Sequence, residues 1–240
     1  MRTPMSRAPE PPHKAPYNRL VIGFNHHMEC RSVLNFAAQV AQVAGVELAG
    51  VFVEDQELLD LARLPFSTEI LSSSRQTRNL DPTSMQGELR AIALQMHNAL
   101  RRLAEHTRRQ YSFRTVRGHL LHALVAQAGA GDLLLLRTAD FPWRGAGPAP
   151  ARIGGPVVLL EPPGSGNGNG NGNIVRLAQE VARAMQQEIV IERNYGGPQS
   201  LRGLNAGLII VPGTLFTGDD DTERFVAAAP CPVLIVPASV

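Results

Sequence analysis

The stretch LIIVPGTLFTGDDDTERFVAAAPCPVLIVP, residues 208–237, reads as strand, glycine loop, helix, strand. A chain that passes from an apolar strand through glycines into a helix is built to seat an anion on the free N–H groups of the helix start. Here Asp219, Asp220 and Asp221 stand where that anion would lie. The stretch therefore fixes an α/β unit and raises a question about its ligand.

Outward from it, the same alternation fills the chain. RLVIGF (19–24) is a buried-strand run. RSVLNFAAQVAQVAG (31–45) has a helical apolar period closed by Gly45. VELAGVFVED (46–55) is a strand. Residues 56–80 predict one short helix and then a polar loop. Asp81 before Pro82 marks a helix start, and Leu89, Ile92, Met96, Leu100 and Leu103 share one face of a helix ending near Arg109. YSFRTVRG, HLLHALVAQAGA and DLLLLRT follow as strand, helix, strand. The Gly- and Pro-rich segment 139–155 predicts a loop. PVVLLEP is a strand, and residues 163–173 form a Gly/Asn-rich flexible insert. Then come helix IVRLAQEVARAMQ, strand EIVIERN, short helix PQSLRGLN and the opening stretch. Regular alternation with continuously apolar strands predicts an α/β fold, a doubly wound parallel sheet covered by helices, with right-handed crossovers. The alternation runs twice. Residues 1–17 read as a disordered tail, 18–155 as a first repeat and 156–240 as a shorter second repeat.

Composition narrows the chemistry. Apolar residues are 44% of 240, enough for a core, and the formal net charge is only +2. Residues 156–240 carry five arginines against eight acids, a net −3, so the remainder is +5. The single lysine, Lys14, lies in the tail. A phosphate-loop lysine, a Schiff-base lysine and a Ser-Lys dyad each need an ordered lysine. GxSxG, HExxH and paired CxxC motifs are absent. No apolar run spans a membrane and no secretory h-region opens the chain. Cys30 and Cys231 form no pair motif, so a reduced, cytoplasmic protein is expected.

Three stretches together carry a family resemblance: LVIGFNHHMECRSVLNFAAQVAQVAGVELAGVFVED from Leu20, TVRGHLLHALVAQAGAGDLLLLRTAD, and AGLIIVPGTLFTGDDDTERFVAAAPCPVLIVP. The chain resembles the universal stress protein family, as a tandem pair covering nearly its whole length. Residues 156–200 match by alternation alone. The resemblance implies two repeats packed through their last strands, as two family protomers dimerise. Members that bind ATP use an aspartate after the first strand; Asn25 stands there, followed by His26 and His27. They also use G-x-x-G-x(9)-G-[S/T] after the fourth strand. Residues 137–155 lack that spacing. In the second half Gly213 and Gly218 remain, five apart, and the last Gly-Ser pair falls on Asp219 and Asp220.

Each candidate site has an ordinary structural reading beside it. The aspartates suit a helix start, and Asp220 with Glu223 has capping-box spacing. Consecutive carboxylates there do not converge, so no metal site is read. The insert's glycines fall on even positions, which excludes GxGxxG. His26 and His27 lie at a strand's carboxyl end, where α/β folds hold ligands, yet no third metal ligand is in view. His119 and His122 lie at i, i+3 and read as helix-surface residues. Cys30 reads as a structural thiol at a helix start, and Cys231 as packing. Arg101, Arg102, Arg108, Arg109, Arg114 and Arg117 form a basic cluster. With 5% aromatic residues, a nucleic-acid stacking platform is not expected.

The expected function is therefore a non-catalytic, stress-associated regulatory protein with weak or lost ATP binding. It would need no cofactor and would work on a protein partner whose identity is unknown, or as a homodimer. The alternative is an ATP/AMP-binding switch using the first-repeat crevice, with Asn25, His26, Val51, Val53, Gly118 and Arg137 as its contacts. A hydrolase or transferase is a third class, and the missing phosphate loop and lysines oppose it.

Overall fold

The computed structural model describes residues 17–25, 30–70, 77–79, 81–137, 155–161, 172–193 and 195–237. The strands of the main sheet are β1 (Arg19–Phe24), β2 (Glu47–Asp55), β5 (Tyr111–Gly118), β6 (Leu133–Leu136), β7 (Val157–Leu160), β8 (Ile189–Glu192), β9 (Leu208–Pro212) and β10 (Val233–Val236). The helices are α1 (Cys30–Ala44), α2 (Gln56–Ala62), α3 (Pro82–Thr107), α4 (Leu120–Gln127), α5 (Gly172–Ala184) and α6 (Asp219–Ala228). Strands β3 (Thr68–Ile70) and β4 (Thr77–Asn79) form a separate antiparallel hairpin. That hairpin corrects the expected polar loop after α2. Three-residue strands are too short to show an alternating pattern in the sequence.

The eight strands lie in the order β5-β2-β1-β6-β10-β9-β7-β8. All neighbours run parallel except β6 and β10, which pair antiparallel with Leu135 opposite Leu234. The sheet thus has two four-stranded halves that meet at their last described strands and run in opposite directions. The strands are near-continuously apolar because both faces are covered. One face packs on Val33, Phe36, Ala37 and Val40 of α1, Leu89, Met96 and Leu100 of α3, and Leu177, Ala178 and Val181 of α5. The other packs on Leu121 and Leu124 of α4, Leu201, and Phe225 and Val226 of α6.

Local signals explain the helix ends. Asp81 accepts a 2.7 Å hydrogen bond from Ser84 N as the α3 N-cap, and Pro82 takes the first turn, where its missing N–H costs nothing. Arg108 closes that helix with φ +53, and Gly45 follows α1 with φ +70. Gly50 has a steric reason. A Cβ there would lie 2.6 Å from Leu100 Cδ2, so a larger residue would push α3 off β2. At the start of β6 the buried Asp132 holds Arg19 Nε at 2.7 Å and accepts from Gly129 N at 2.8 Å. The Arg19 guanidinium also donates to Gln127 O at 2.7 Å, tying β1 to the end of α4.

Candidate functional site

In a doubly wound sheet a ligand crevice opens beyond the carboxyl ends of two strands whose connections leave in opposite directions. Each half has one such point. In the first half it lies between β1 and β6. In the second it lies between β7 and β9.

At the second point, the segment after β9 does not form an open phosphate loop. Gly213–Leu215 is a turn of 3-10 helix, closed by Phe216 N donating to Gly213 O at 3.3 Å. The Phe216 ring packs edge-on against Phe225 at 5.1 Å, and Tyr195 meets the other side of Phe225 at 5.5 Å. Gly218 is the N-cap of α6, with no side-chain cap bond. This corrects the expected capping box. The helix starts one residue before Asp220, so all three aspartates fall inside its first turn. There they complement the positive end of the helix dipole. The Thr217 hydroxyl donates to the Asp221 carboxylate, and Asp219 Oδ2 lies 3.6 Å from His122 Nε2 on α4. Burial first, and the Asp221 charge second, push the Tyr195 phenol up to about 12.

At the carboxyl end of β7, Glu161 continues the ladder by donating its N–H to Glu192 O at 3.0 Å. Its carboxylate holds Arg193 Nε at 3.0 Å. The first half has a matching pair, Arg117 Nη2 to Glu54 Oε2 at 3.0 Å. Neither pair was legible in the sequence, because the partners lie 32 and 63 residues apart.

The first-half residues are spread along the sheet end. Asn25 follows β1 and is half-buried. Arg137 follows the adjacent β6 and is also half-buried. The register Leu20 to Leu133 and Ile22 to Leu135 brings these two to the same end of neighbouring strands. Val51 and Val53 are 3% and 2% exposed, and their side chains belong to the apolar layer under α4. Only their backbone is available to a ligand. Gly118, with φ +142, ends β5 opposite Asp55. It is three strand spacings from Arg137, about 14 Å. His26 and His27 lie outside the described residues, as do the segment 139–155, most of the 163–173 insert and the side chain of Cys30.

Cys231 is buried beside β10. Burial pushes its thiol up to about 12, against the opposing pull of the Arg137 charge and the Ile209 backbone. It packs as expected and is no nucleophile. His119 is the N-cap of α4 without a side-chain cap bond, and its ring meets His122 edge-on at 6.1 Å. Among the described residues no three His, Cys, Asp or Glu side chains converge to hold a metal. No described helix is long and apolar enough to cross a membrane.

These features define a class: a doubly wound α/β protein with two opposed halves, each with a carboxyl-end crevice of different chemistry. No protein-family model matches the chain, and no curated protein matches it. Solved structures similar to it include a universal stress protein from Archaeoglobus fulgidus, at 10% identity over 93% of this chain and 98% of that one, with a TM-score of 0.44. A putative universal stress protein from Pseudomonas aeruginosa is similar at 10% identity, over 94% and 95%, with a TM-score of 0.44. The cytoplasmic domain of a prokaryotic cation chloride cotransporter is similar at 8% identity, over 93% and 96%, with a TM-score of 0.45. At these scores the fold class rests on the strand order itself.

Proposed function

We propose that the chain is a non-catalytic regulatory protein of the universal stress protein type, built from two repeats, in which ATP binding is weak or lost. The observation that carries this reading is the first turn of α6. Asp219, Asp220 and Asp221 occupy the place a nucleotide phosphate would take, and Asp221 is already bonded by Thr217. A phosphate at ~5 Å from one such carboxylate meets about 3 kcal/mol of repulsion at an effective dielectric of ~20. Two or three such pairs offset most of the roughly 8 kcal/mol of a micromolar complex. The only lysine lies in the N-terminal tail, which supports a non-catalytic role. A stress-associated, cytoplasmic setting and a protein partner belong to the same proposal.

A second reading keeps a nucleotide switch in the first half. It is favoured by Asn25 and Arg137, which the β1–β6 register sets side by side at the carboxyl ends. An amide and a guanidinium suit a ribose and a phosphate.

Isothermal titration of ATP, ADP and AMP, with and without Mg²⁺, separates the two. The proposal expects no heat up to millimolar nucleotide. Micromolar binding abolished by Arg137→Ala would replace it with the switch.

A further inference from the structure

The two outer strands of the sheet are opposite in character, and their backbone phases match. In a parallel ladder, alternate residues of an edge strand bond inward and the others point outward. Leu48 N donates to Gln110 O, so residues 110, 112, 114, 116 and 118 bond toward β2. Tyr111, Phe113, Thr115 and Arg117 then carry the outward groups of β5. At the other edge, Val157 N donates to Glu188 O and Glu161 N to Glu192 O. Residues 188, 190 and 192 bond toward β7, and Ile189, Ile191 and Arg193 carry the outward groups of β8.

Natural sheets guard such edges with proline, lysine or bulges. Neither strand has a proline or a lysine. Both expose large apolar side chains instead: Tyr111 at 37%, Val190 at 41% and Ile191 at 38%. Their charges are complementary. β5 carries Arg114 and Arg117, while β8 lies among Glu188 and Glu192.

We propose that β5 of one copy of this chain pairs antiparallel with β8 of a second copy, joining molecules head to tail through a continuous sheet. Antiparallel pairing must set outward residues opposite outward residues. With Thr115 opposite Ile191, Arg114 falls opposite Glu192 and Val116 opposite Val190. These are the closer, non-hydrogen-bonded pairs, with Cβ atoms about 4.5–5.5 Å apart, where opposite charges and apolar pairs stabilise most. Sliding by two residues either way sets Glu192 opposite Ser112 or Val116 and loses both matches. Self-pairing is disfavoured. β8 centred on Val190 sets Glu188 against Glu192, and β5 centred on Arg114 sets that arginine against itself. Within one chain β5 and β8 run in opposite directions at the two ends of one sheet. A second copy in the same orientation therefore meets the first with the required antiparallel sense. Such an interface is heterologous and does not close on itself.

The test uses two capped variants of the full chain. Thr115→Pro and Ile191→Pro each delete an outward N–H and leave the inward ladder bonds intact. Light scattering over a concentration series should show the mass of the wild type rising. Each proline variant alone should stay monomeric, and an equimolar mixture should give particles of two copies and no larger. A wild type that is monomeric at every concentration overturns the proposal, as does a mixture that stays monomeric. Association lost with Ile191→Pro but kept with Thr115→Pro also overturns it, because the contact is then β8 on β8 or another surface. If circular dichroism shows either proline variant unfolded, charge reversal decides. Arg114→Glu and Glu192→Arg should each weaken association, and the double variant should restore it. Failure of that restoration counts against the pairing.

Discussion

The two crevices differ in what fills them. In the second half, a 3-10 turn, the Phe216 ring and three carboxylates occupy the space after β9. In the first half, the described residues at the equivalent point are an amide and a guanidinium, Asn25 and Arg137. The same strand–loop–helix frame thus ends once in an acidic, self-packed helix start and once in a neutral-to-basic pair. The difference teaches that a doubly wound frame is held by its apolar layers, and that its ligand chemistry lies in a few residues at the strand ends.

Whether the halves are one cooperative body is the largest effect to measure. Phe225 is 1% exposed and is clasped by Tyr195 and Phe216. Phe225→Ala should cost about 3–5 kcal/mol. The β6–β10 ladder joins the halves, so urea unfolding should remain a single transition. Two separate transitions, with only one moved by the substitution, would break the account of a single sheet.

A smaller effect sharpens the comparison through pH. Cys231 and Tyr195, both in the second half, are held protonated to about 12, from ordinary values of 9.0 and 10.0. Tyr17, in the first half, is raised by burial in the same direction. A raised pKa means that the unfolded chain releases its proton first. The stabilising contribution is therefore complete below about pH 9 and is lost as pH rises from there toward 12. The urea midpoint should fall between pH 8 and pH 10.5, as round choices on either side of about 9. Cys231→Ala with Tyr195→Phe should flatten that fall. A midpoint that does not move in the wild type would contradict the burial of these groups. Asp221→Asn should also bring the Tyr195 phenolate absorbance in at lower pH.

The smallest effect concerns the contact between α4 and α6. His122 and Asp219 are about half exposed, so His122→Ala should change stability by no more than about 0.5 kcal/mol. A larger loss, seen by thermal melting at pH 6, would mean that the halves are clamped by charge and not by the apolar layer.

Much of this was legible in the sequence. YSFRTVRG gives β5 to the residue, and Asp81-Pro82 gives the start of α3, because strand alternation and helix caps are local signals. The β3–β4 hairpin was not legible, since its strands are shorter than any period. The start of α6 was read one residue late. Three consecutive aspartates offer several caps, and packing of Phe225 and Val226 selects the register. The antiparallel junction of β6 and β10 was legible only through the family resemblance, because apolar strands look alike in either direction. The Glu54–Arg117 and Glu161–Arg193 pairs depend on sheet register and leave no local trace. At the candidate site the sequence marked the aspartates, but it did not reveal that Phe216 folds into the loop's own space.

The central claim is that the acidic first turn of α6 keeps phosphate out. The direct measurement is a titration of ATP into the wild type beside a variant carrying Asp219→Ser, Asp220→Ser and Asp221→Ser. The account predicts no heat from the wild type and measurable binding by the variant. Equal binding by both would contradict it, because the carboxylates would then have no part in the protein's indifference to nucleotide.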